Sequence, residues 1–142
     1  METEKLIIAG AGPAGVSAAL YAVRSGITPL VLHKGGGALE KAVKIENYYG
    51  LPKPVTGAEL YQNGLKQLES FQVPVVEEEL LAVEYDGDYT VQTADHTYHS
   101  KALILATGAK RNTLALKELK KYEGSGISYC AVCDGFFYRG KD

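Results

Sequence analysis

The sequence has few cysteines, no tryptophan and no long apolar segment. Two cysteines among 142 residues are too few for a secreted scaffold held by disulfides. No apolar run approaches the roughly 20 residues that a membrane-spanning helix needs, so we expect no membrane partner. Acidic Glu2 and Glu4 stand where a secretory signal has basic residues, which predicts a cytoplasmic protein. The 15 basic and 17 acidic side chains form no basic block, which argues against a nucleic-acid partner.

The first third of the sequence predicts a strand, a helix and a second strand. An apolar run at residues 5–9 suits a strand that is buried on both faces of a parallel sheet. Apolar residues then recur at helical spacing from Pro13 to Ser25, and Gly26 is placed to end that helix in a left-handed conformation. A second apolar run covers residues 28–33. This order within about 30 residues is typical of a nucleotide-binding crossover.

Further along the chain, the patterns predict another helix, an antiparallel meander and a third parallel strand. Residues 56–59 have the pattern of a capping box at the start of a helix. The residues expected on one face of this helix are Leu60, Gly64, Leu65, Leu68 and Phe71. Alternating runs on either side of Asp86 and Gly87 predict a hairpin within a meander of residues 80–101, and residues 102–106 form a buried-strand pattern. We therefore predict an α/β fold, a Rossmann-like module of three layers with an antiparallel meander.

A glycine motif, Gly10-x-Gly12-x-x-Gly15, joins the first predicted strand to the first helix. In such motifs the first glycine permits a tight turn, the second lets the backbone approach a pyrophosphate, and the third lets helix and strand pack closely. Phosphates bind at the helix N-terminus because its N–H groups and dipole favour negative charge. The position of the motif indicates dinucleotide binding, and a plain tight turn in an α/β domain is the alternative.

The end of the second predicted strand lacks the acid that usually binds a ribose hydroxyl. His33 and Lys34 occupy that place, and Glu40 lies too far along the next loop to be an easy replacement. The imidazole of His33 can exchange a hydrogen bond with a ribose hydroxyl, or it can be an ordinary surface residue. The three glycines at 35–37 cannot continue either element, so we expect a mobile or ligand-hugging loop there.

A Cys-x-x-Cys pair, Cys130 and Cys133, carries the second chemical motif. Such pairs often lower the pKa of one thiol and exchange disulfides, and Asp134 beside them can move a proton. His96 and His99 offer two more zinc ligands, but their order and spacing differ from common Cys2His2 sites, so we expect them to be exposed strand residues. Two inert buried thiols are a third possibility. A dinucleotide site beside a dithiol favours a flavin, which can pass two electrons to a disulfide.

These motifs resemble the N-terminal part of the low-molecular-weight thioredoxin reductases, which are FAD-dependent pyridine nucleotide-disulfide oxidoreductases. The stretches that carry the resemblance are residues 10–15, 46–50, 102–109 and 126–138. The resemblance implies an FAD-binding domain of two discontinuous halves with an NADPH-binding domain inserted between them. Residues 1–113 would be the first half of the FAD-binding domain, and residues 114–142 the crossover and redox-active segment at the start of the insert.

The resemblance also assigns roles to single residues. The cofactor-binding residues that it implies are Gly10, Gly12, Pro13, Ala14, Gly15, His33, Lys34, Gly36, Gly37, Asn47, Leu81 or its neighbour Leu80, Thr107 and Gly108. The first five would hold the FAD pyrophosphate, while His33 and Lys34 would lie near its adenosine. Cys130 and Cys133 would form the redox disulfide, with Cys133 nearer the flavin and Asp134 as proton donor. No metal site is expected.

The activity implied by the resemblance is reduction of a protein disulfide, on thioredoxin or a similar protein, by a homodimer. NADPH is the donor expected for the complete protein, and ferredoxin is an alternative donor. The sequence stops where the NADPH-binding strand should begin, so we expect an incomplete portion that does not turn over alone. The alternative class is a non-catalytic nucleotide-binding or structural half-domain, in which the cysteines bind zinc or are inert.

Overall fold

The computed structural model describes residues 3–109, 117–123, 125–131 and 135–140. The chain divides into two compact units, residues 1–109 and residues 110–142. Its strands are β1 (Ile7–Ala9), β2 (Leu30–His33), β3 (Val75–Glu77), β4 (Ala82–Asp86), β5 (Asp88–Gln92), β6 (Thr97–Ser100) and β7 (Leu103–Leu105). Its α-helices are α1 (Pro13–Arg24), α2 (Gly37–Glu40), α3 (Gly57–Ser70) and α4 (Leu119–Tyr122), and a 3-10 helix covers Gly135–Tyr138.

Four of the strands form a parallel sheet, and the other three form an antiparallel one. The parallel sheet has the order β3-β2-β1-β7, and the meander has the order β4-β5-β6. Ile8 is aligned with Val31 and with Ile104, which fixes the register at the centre of the parallel sheet. The sheet order places the carboxyl ends of β1, β2 and β7 side by side.

The parallel sheet has an apolar core on each face, because its central strands, β1 and β2, are buried on both sides. On one face, Ile8 and Val31 pack with Val16 of α1 and Leu68 of α3. On the other face, Ile7, Leu30 and Leu32 pack against Val91 of the meander, which is fully buried. The first unit therefore has three layers, and the predicted α/β class and layer order are confirmed.

The helix ends follow from their sequences. Pro13 begins α1, a position where the missing N–H costs no helical hydrogen bond. Gly26 has a φ of +76°, as expected for the residue after the last turn, and the Ile27 N–H donates to Ala22 O at 3.0 Å. Thr56 Oγ1 accepts the Glu59 N–H at 3.1 Å and caps α3. The predicted helix from Pro13 to Ser25 is confirmed to within one residue, and α3 begins at the predicted capping box.

Three local features differ from the predictions. Strand β3 was not expected, because only two valines precede three glutamates and no alternation marks a strand. Helix α2 begins at Gly37, inside the expected glycine loop, where the Glu40 carboxylate accepts the Gly36 N–H at 3.0 Å and closes the turn. Phe71 was expected on the apolar face of α3, but the helix ends before it and its side chain is 51% exposed. Tyr61, which was not expected on that face, is buried.

In the second unit, the described residues form helix α4 and the 3-10 helix. The backbone of Glu123 bridges to Ile127 after α4. The Gly126 N–H donates to the hydroxyl of Tyr138 at 3.0 Å. Within the described ranges, no helix combines the length and the apolar composition that crossing a bilayer requires.

Candidate functional site

Three groups of predicted cofactor-binding residues lie at the carboxyl edge of the parallel sheet. The glycine motif follows β1, His33 ends β2, and Thr107 and Gly108 follow β7. In open α/β sheets, ligands bind outside the carboxyl ends of adjacent parallel strands. Sheet topology thus brings together three parts of the sequence that are far apart along the chain.

Two glycines of the motif are required by close packing. Gly10 has a φ of +115°, and a side chain there would overlap the backbone carbonyl of Ala106 after β7. A side chain on Gly15 would overlap the carbonyl of Gly10, so α1 starts directly against the turn. The Gly10 N–H also donates to Leu32 O at 2.7 Å. These contacts fix the turn between β1 and α1 against both neighbouring strands.

The middle glycine of the motif faces open space. A Cβ added to Gly12 would have no atom within 4 Å, and the neighbouring Pro13 and Ala14 are exposed. The first helical hydrogen bond runs from the Val16 N–H to Gly12 O at 2.9 Å, so the N–H groups before Val16 in the first turn lack an intrahelical partner. An open backbone before a helix N-terminus fits a pyrophosphate group.

His33, at the end of β2, is held by two neighbours. Its Nδ1 accepts the Gly35 N–H at 3.0 Å and lies 3.1 Å from the hydroxyl of Tyr61 on α3. The two rings meet edge to face, with centroids 6.3 Å apart. The structure therefore places His33 in a defined hydrogen-bond network and not as an ordinary surface residue.

Two carboxylates lie close to this network. Helix α2 turns the carboxylate of Glu40 back to the N–H of the buried Gly36, and the expectation that Glu40 does not replace the missing acid stays a prediction. Burial raises the pKa of Tyr61 above its usual value, and the negative charges of Glu40 and Glu77 raise it further. Tyr61 is only 4% exposed, so its hydroxyl stays protonated around neutral pH.

The segment after β3 lies beside the end of β2. Lys34 forms an ion pair with Glu79 at 2.5 Å, with both side chains at least half exposed. Leu80 packs into the core between the sheets, whereas Leu81 is 61% exposed and donates its N–H to Gln92 O at 2.8 Å. Of these two leucines, Leu81 is therefore the one whose side chain is free to meet a ligand.

The two remaining predicted contacts with the cofactor are less constrained. Asn47 is exposed, and no hydrogen bond or ion pair within the described ranges joins it to the glycine motif. Gly37 has a φ of +61° and is the first residue of α2. Both therefore stay predictions as cofactor contacts.

Cys130 is part of a disulfide and donates its backbone N–H to Ser128 Oγ at 3.1 Å. Cys133 and Asp134 lie outside the described residues. Zinc binding requires thiolates, which a disulfide does not offer.

His96 and His99, the other candidate ligands, have Nδ1 atoms 2.7 Å from Glu78 and 3.3 Å from Thr90, respectively. Across the described ranges, no three His, Cys, Asp or Glu side chains are grouped to hold a metal.

Neither Tyr61 nor Glu77 was predicted from the sequence as a site residue. The signal for Tyr61 was its position four residues after Gly57 and seven before Leu68, the other two buried positions of α3. The signal for Glu77 was weaker, because the strand that it ends was not expected. Both residues matter here because Tyr61 is a hydrogen-bond partner of His33 and Glu77 is paired with His33 across β2 and β3.

The fold is an α/β fold, and an open helix N-terminus directly after the first parallel strand is typical of dinucleotide-binding proteins. The family model described as pyridine nucleotide-disulphide oxidoreductase matches residues 4–142, and the chain belongs to this family. Thioredoxin reductase from Mycolicibacterium smegmatis is 40% identical over 140 residues, which cover 96% of this chain and 45% of that protein. Thioredoxin reductase from Streptomyces coelicolor is 36% identical over 146 residues, or 99% of this chain and 45% of that protein.

A solved structure supports the same relationship. The crystal structure of thioredoxin reductase from Streptococcus pyogenes MGAS5005 matches with a TM-score of 0.83 and 38% identity, over 95% of this chain and 45% of that one. The chain thus spans less than half the length of these thioredoxin reductases. The predicted resemblance is confirmed, and the chain is related to oxidoreductases.

Proposed function

We propose that this chain is the N-terminal, FAD-binding portion of a disulfide oxidoreductase that resembles thioredoxin reductase. The observation that carries the proposal is the open backbone at Gly12, in front of helix α1 and beside the end of β7. The adenosine would lie toward His33 and Lys34, and the Thr107–Gly108 turn would border the other side. When bound, FAD supplies the chemistry that passes two electrons to a disulfide.

The residues of this chain have separate tasks in the proposed reaction. Backbone N–H groups at the start of α1 bind the pyrophosphate and orient the cofactor. Two electrons and two protons convert a Cys130–Cys133 disulfide to a dithiol. A Cys130 thiolate then attacks a partner disulfide and releases one partner thiolate, and Cys133 attacks the mixed disulfide, which releases the second and restores the original bond. Asp134 moves a proton during the exchange.

The partner and donor that we propose belong to the whole protein. Thioredoxin or a similar protein would be the disulfide substrate, because thioredoxin reductases are among the relatives of this chain. NADPH would be the donor, with ferredoxin as the alternative, and the protein would be a cytoplasmic homodimer. Since the chain spans about 45% of its relatives, we propose that it does not turn over alone.

The visible absorption spectrum tests the proposal. The wild-type chain and the Cys133→Ser variant are each incubated with FAD and passed through a desalting column, and their visible absorption spectra are recorded. We expect both proteins to keep flavin absorption, because the cysteines are not needed to bind the pyrophosphate. Two colourless eluates would contradict FAD binding, and zinc in the unliganded wild type would favour the metal alternative. Adding NADPH and thioredoxin to the loaded wild type should give no disulfide reduction, and steady turnover would contradict the proposed inactivity.

A further inference from the structure

The hydrogen bonds at His33 determine where its ring carries a proton. The Gly35 N–H points at Nδ1 over 3.0 Å and can only donate. A proton on Nδ1 would collide with it, so Nδ1 is an acceptor. The neutral ring therefore carries its hydrogen on Nε2. The Tyr61 hydroxyl, 3.1 Å from Nδ1, can then act only as a donor to it, and it shares the single in-plane lone pair of that nitrogen with the Gly35 N–H.

The surroundings of Tyr61 keep its hydroxyl protonated, so that it remains a hydrogen-bond donor. It comes from α3, on the helix side of the sheet, and is 4% exposed. The charged groups that face it are Glu40 of α2 and Glu77 of β3, and both raise its pKa after the larger effect of burial. A phenol that does not ionise keeps donating to Nδ1. Two donors on one acceptor fix both the rotation of the imidazole and its tautomer.

We propose that Tyr61 is a positioning residue that holds His33 with its Nε2–H available as a hydrogen-bond donor to a ribose hydroxyl of the dinucleotide. This inference rests on the proposed function, since it concerns the adenosine end of the same site. His33 stands at the end of β2, where dinucleotide-binding folds commonly have an acid that accepts from the ribose. Here the polarity of the contact is reversed, because the protein donates and the hydroxyl accepts.

Within the described ranges, no hydrogen bond involves the Nε2 atom of His33. Both hydrogen bonds that the ring makes there involve Nδ1. His33 is half-buried, so part of its surface is open to a ligand. The carboxylate of Glu40 accepts the neighbouring Gly36 N–H, so that N–H is not available to a ribose hydroxyl.

The test is a double-mutant cycle on the FAD dissociation constant of the full chain. His33→Leu should weaken binding about 10-fold, the upper effect of one neutral hydrogen bond. Tyr61→Phe should weaken it about 3-fold, because it frees the ring without opening a cavity. In the His33→Leu background, Tyr61→Phe should have no further effect. His33→Gln, which keeps an amide donor, should bind more tightly than His33→Leu. Tyr21→Phe, at a position that is 73% exposed, is the matched control and should change nothing.

A second readout needs no cofactor. Nitrogen-15 NMR of the unliganded chain should show the His33 proton on Nε2, and the Nδ1 signal should move in Tyr61→Phe. A proton on Nδ1 in the wild type would overturn the proposal. So would equal weakening by Tyr61→Phe in both backgrounds, because Tyr61 would then act on packing. Normal FAD binding by His33→Leu would overturn the ribose contact alone. A wild-type chain that binds no FAD would overturn the proposed function and the ribose contact together.

Discussion

The carboxylate of Glu78 lies 2.7 Å from Nδ1 of His96. Its other oxygen accepts the hydroxyls of Thr93 at 2.6 Å and Tyr98 at 3.1 Å. Glu78 follows β3 of the parallel sheet, whereas its three partners belong to β6 and the turn before it. One carboxylate thus joins the two sheets. Burial raises the pKa of Tyr98, and its hydrogen bond to Glu78 adds to that shift.

This junction predicts a pH-dependent stability. The hydrogen bond from Thr93 is the main reason why the pKa of Glu78 lies below its ordinary value. The unfolded chain therefore binds more protons than the folded one in the acid range, so the stabilisation by Glu78 is present at neutral pH and is lost as the pH falls through its lowered pKa. Glu78→Gln should lower the free energy of unfolding at neutral pH, and the difference from wild type should shrink on acidification. Urea denaturation at several pH values measures both.

The matched control for this prediction is Glu84→Gln. Glu84 is exposed on β4, so this substitution removes the same charge without removing the hydrogen bonds that Glu78 makes. If the two variants show equal pH profiles, the effect of Glu78 is one of net charge, and the junction does not stabilise the fold.

Gly15→Ala should destabilise the chain. A methyl group there overlaps the carbonyl of Gly10. Alanine favours a helix by about 1 kcal/mol over glycine. Overpacking against atoms that cannot move costs about 1–3 kcal/mol or more, so the clash should outweigh the helix preference. Chemical denaturation followed by circular dichroism checks this, and an unchanged midpoint would show that the turn can shift.

Gly12→Ala should leave the stability of the chain nearly unchanged but weaken its binding of FAD. Its methyl group meets no protein atom, and glycine has a φ of −72° there, which alanine adopts readily. We expect a stability change below about 1 kcal/mol. FAD binding should weaken at least about 10-fold, because the methyl group occupies the approach of the pyrophosphate. Fluorescence titration with FAD measures this, and tight binding by the variant would place the phosphates elsewhere.

Thr56→Ala should lower the free energy of unfolding by about 1 kcal/mol, the usual effect of losing a helix N-cap. The hydroxyl of Thr56 is the acceptor for the Glu59 N–H at the start of α3. Thr56→Ser keeps the acceptor and should remain within a few tenths of a kcal/mol of wild type. Equal losses in both variants, by urea denaturation, would trace the effect to the lost methyl group.

A thiol assay tests the state of the cysteines. Cys130 is in a disulfide, and the sequence has two cysteines in all. The chain purified without reductant should show no reactive thiol in denaturant, and both thiols after reduction. Cys130→Ser should show one thiol without reductant. A monomer band on a non-reducing gel separates an internal disulfide from one between two chains.

The strands of the parallel sheet could be predicted from local sequence, because β1, β2 and β7 are continuous apolar runs. The predicted burial is confirmed for β1 and β2 but was wrong for β7, which lies at the edge of the sheet and exposes Ile104 and Leu105. Strand β3 could not, because its two valines are too few to show a period. Helix α2 could not either, since it depends on one carboxylate, that of Glu40, reaching back to Gly36. Such a contact leaves no periodic signal.

The glycine motif was predictable because each of its positions has a distinct steric reason, and the contacts of Gly10 and Gly15 agree with those reasons. The surroundings of His33 were not, because Tyr61 is 28 residues away along the chain and meets it only through the packing of α3 on the sheet. Sequence patterns locate the ends of strands well, but they do not show which side chain from another layer reaches them.

The parallel sheet ends on β7, where Ile104 is 38% exposed on the helix side and Leu105 is 64% exposed on the meander side. Within the described ranges, no strand pairs with the outer edge of β7. An open edge with apolar side chains on both faces is a template onto which other polypeptides add, and it promotes aggregation. The outer edge of β7, on the far side of β1 from His33, is therefore a place where we expect this chain to associate with other polypeptides at high concentration.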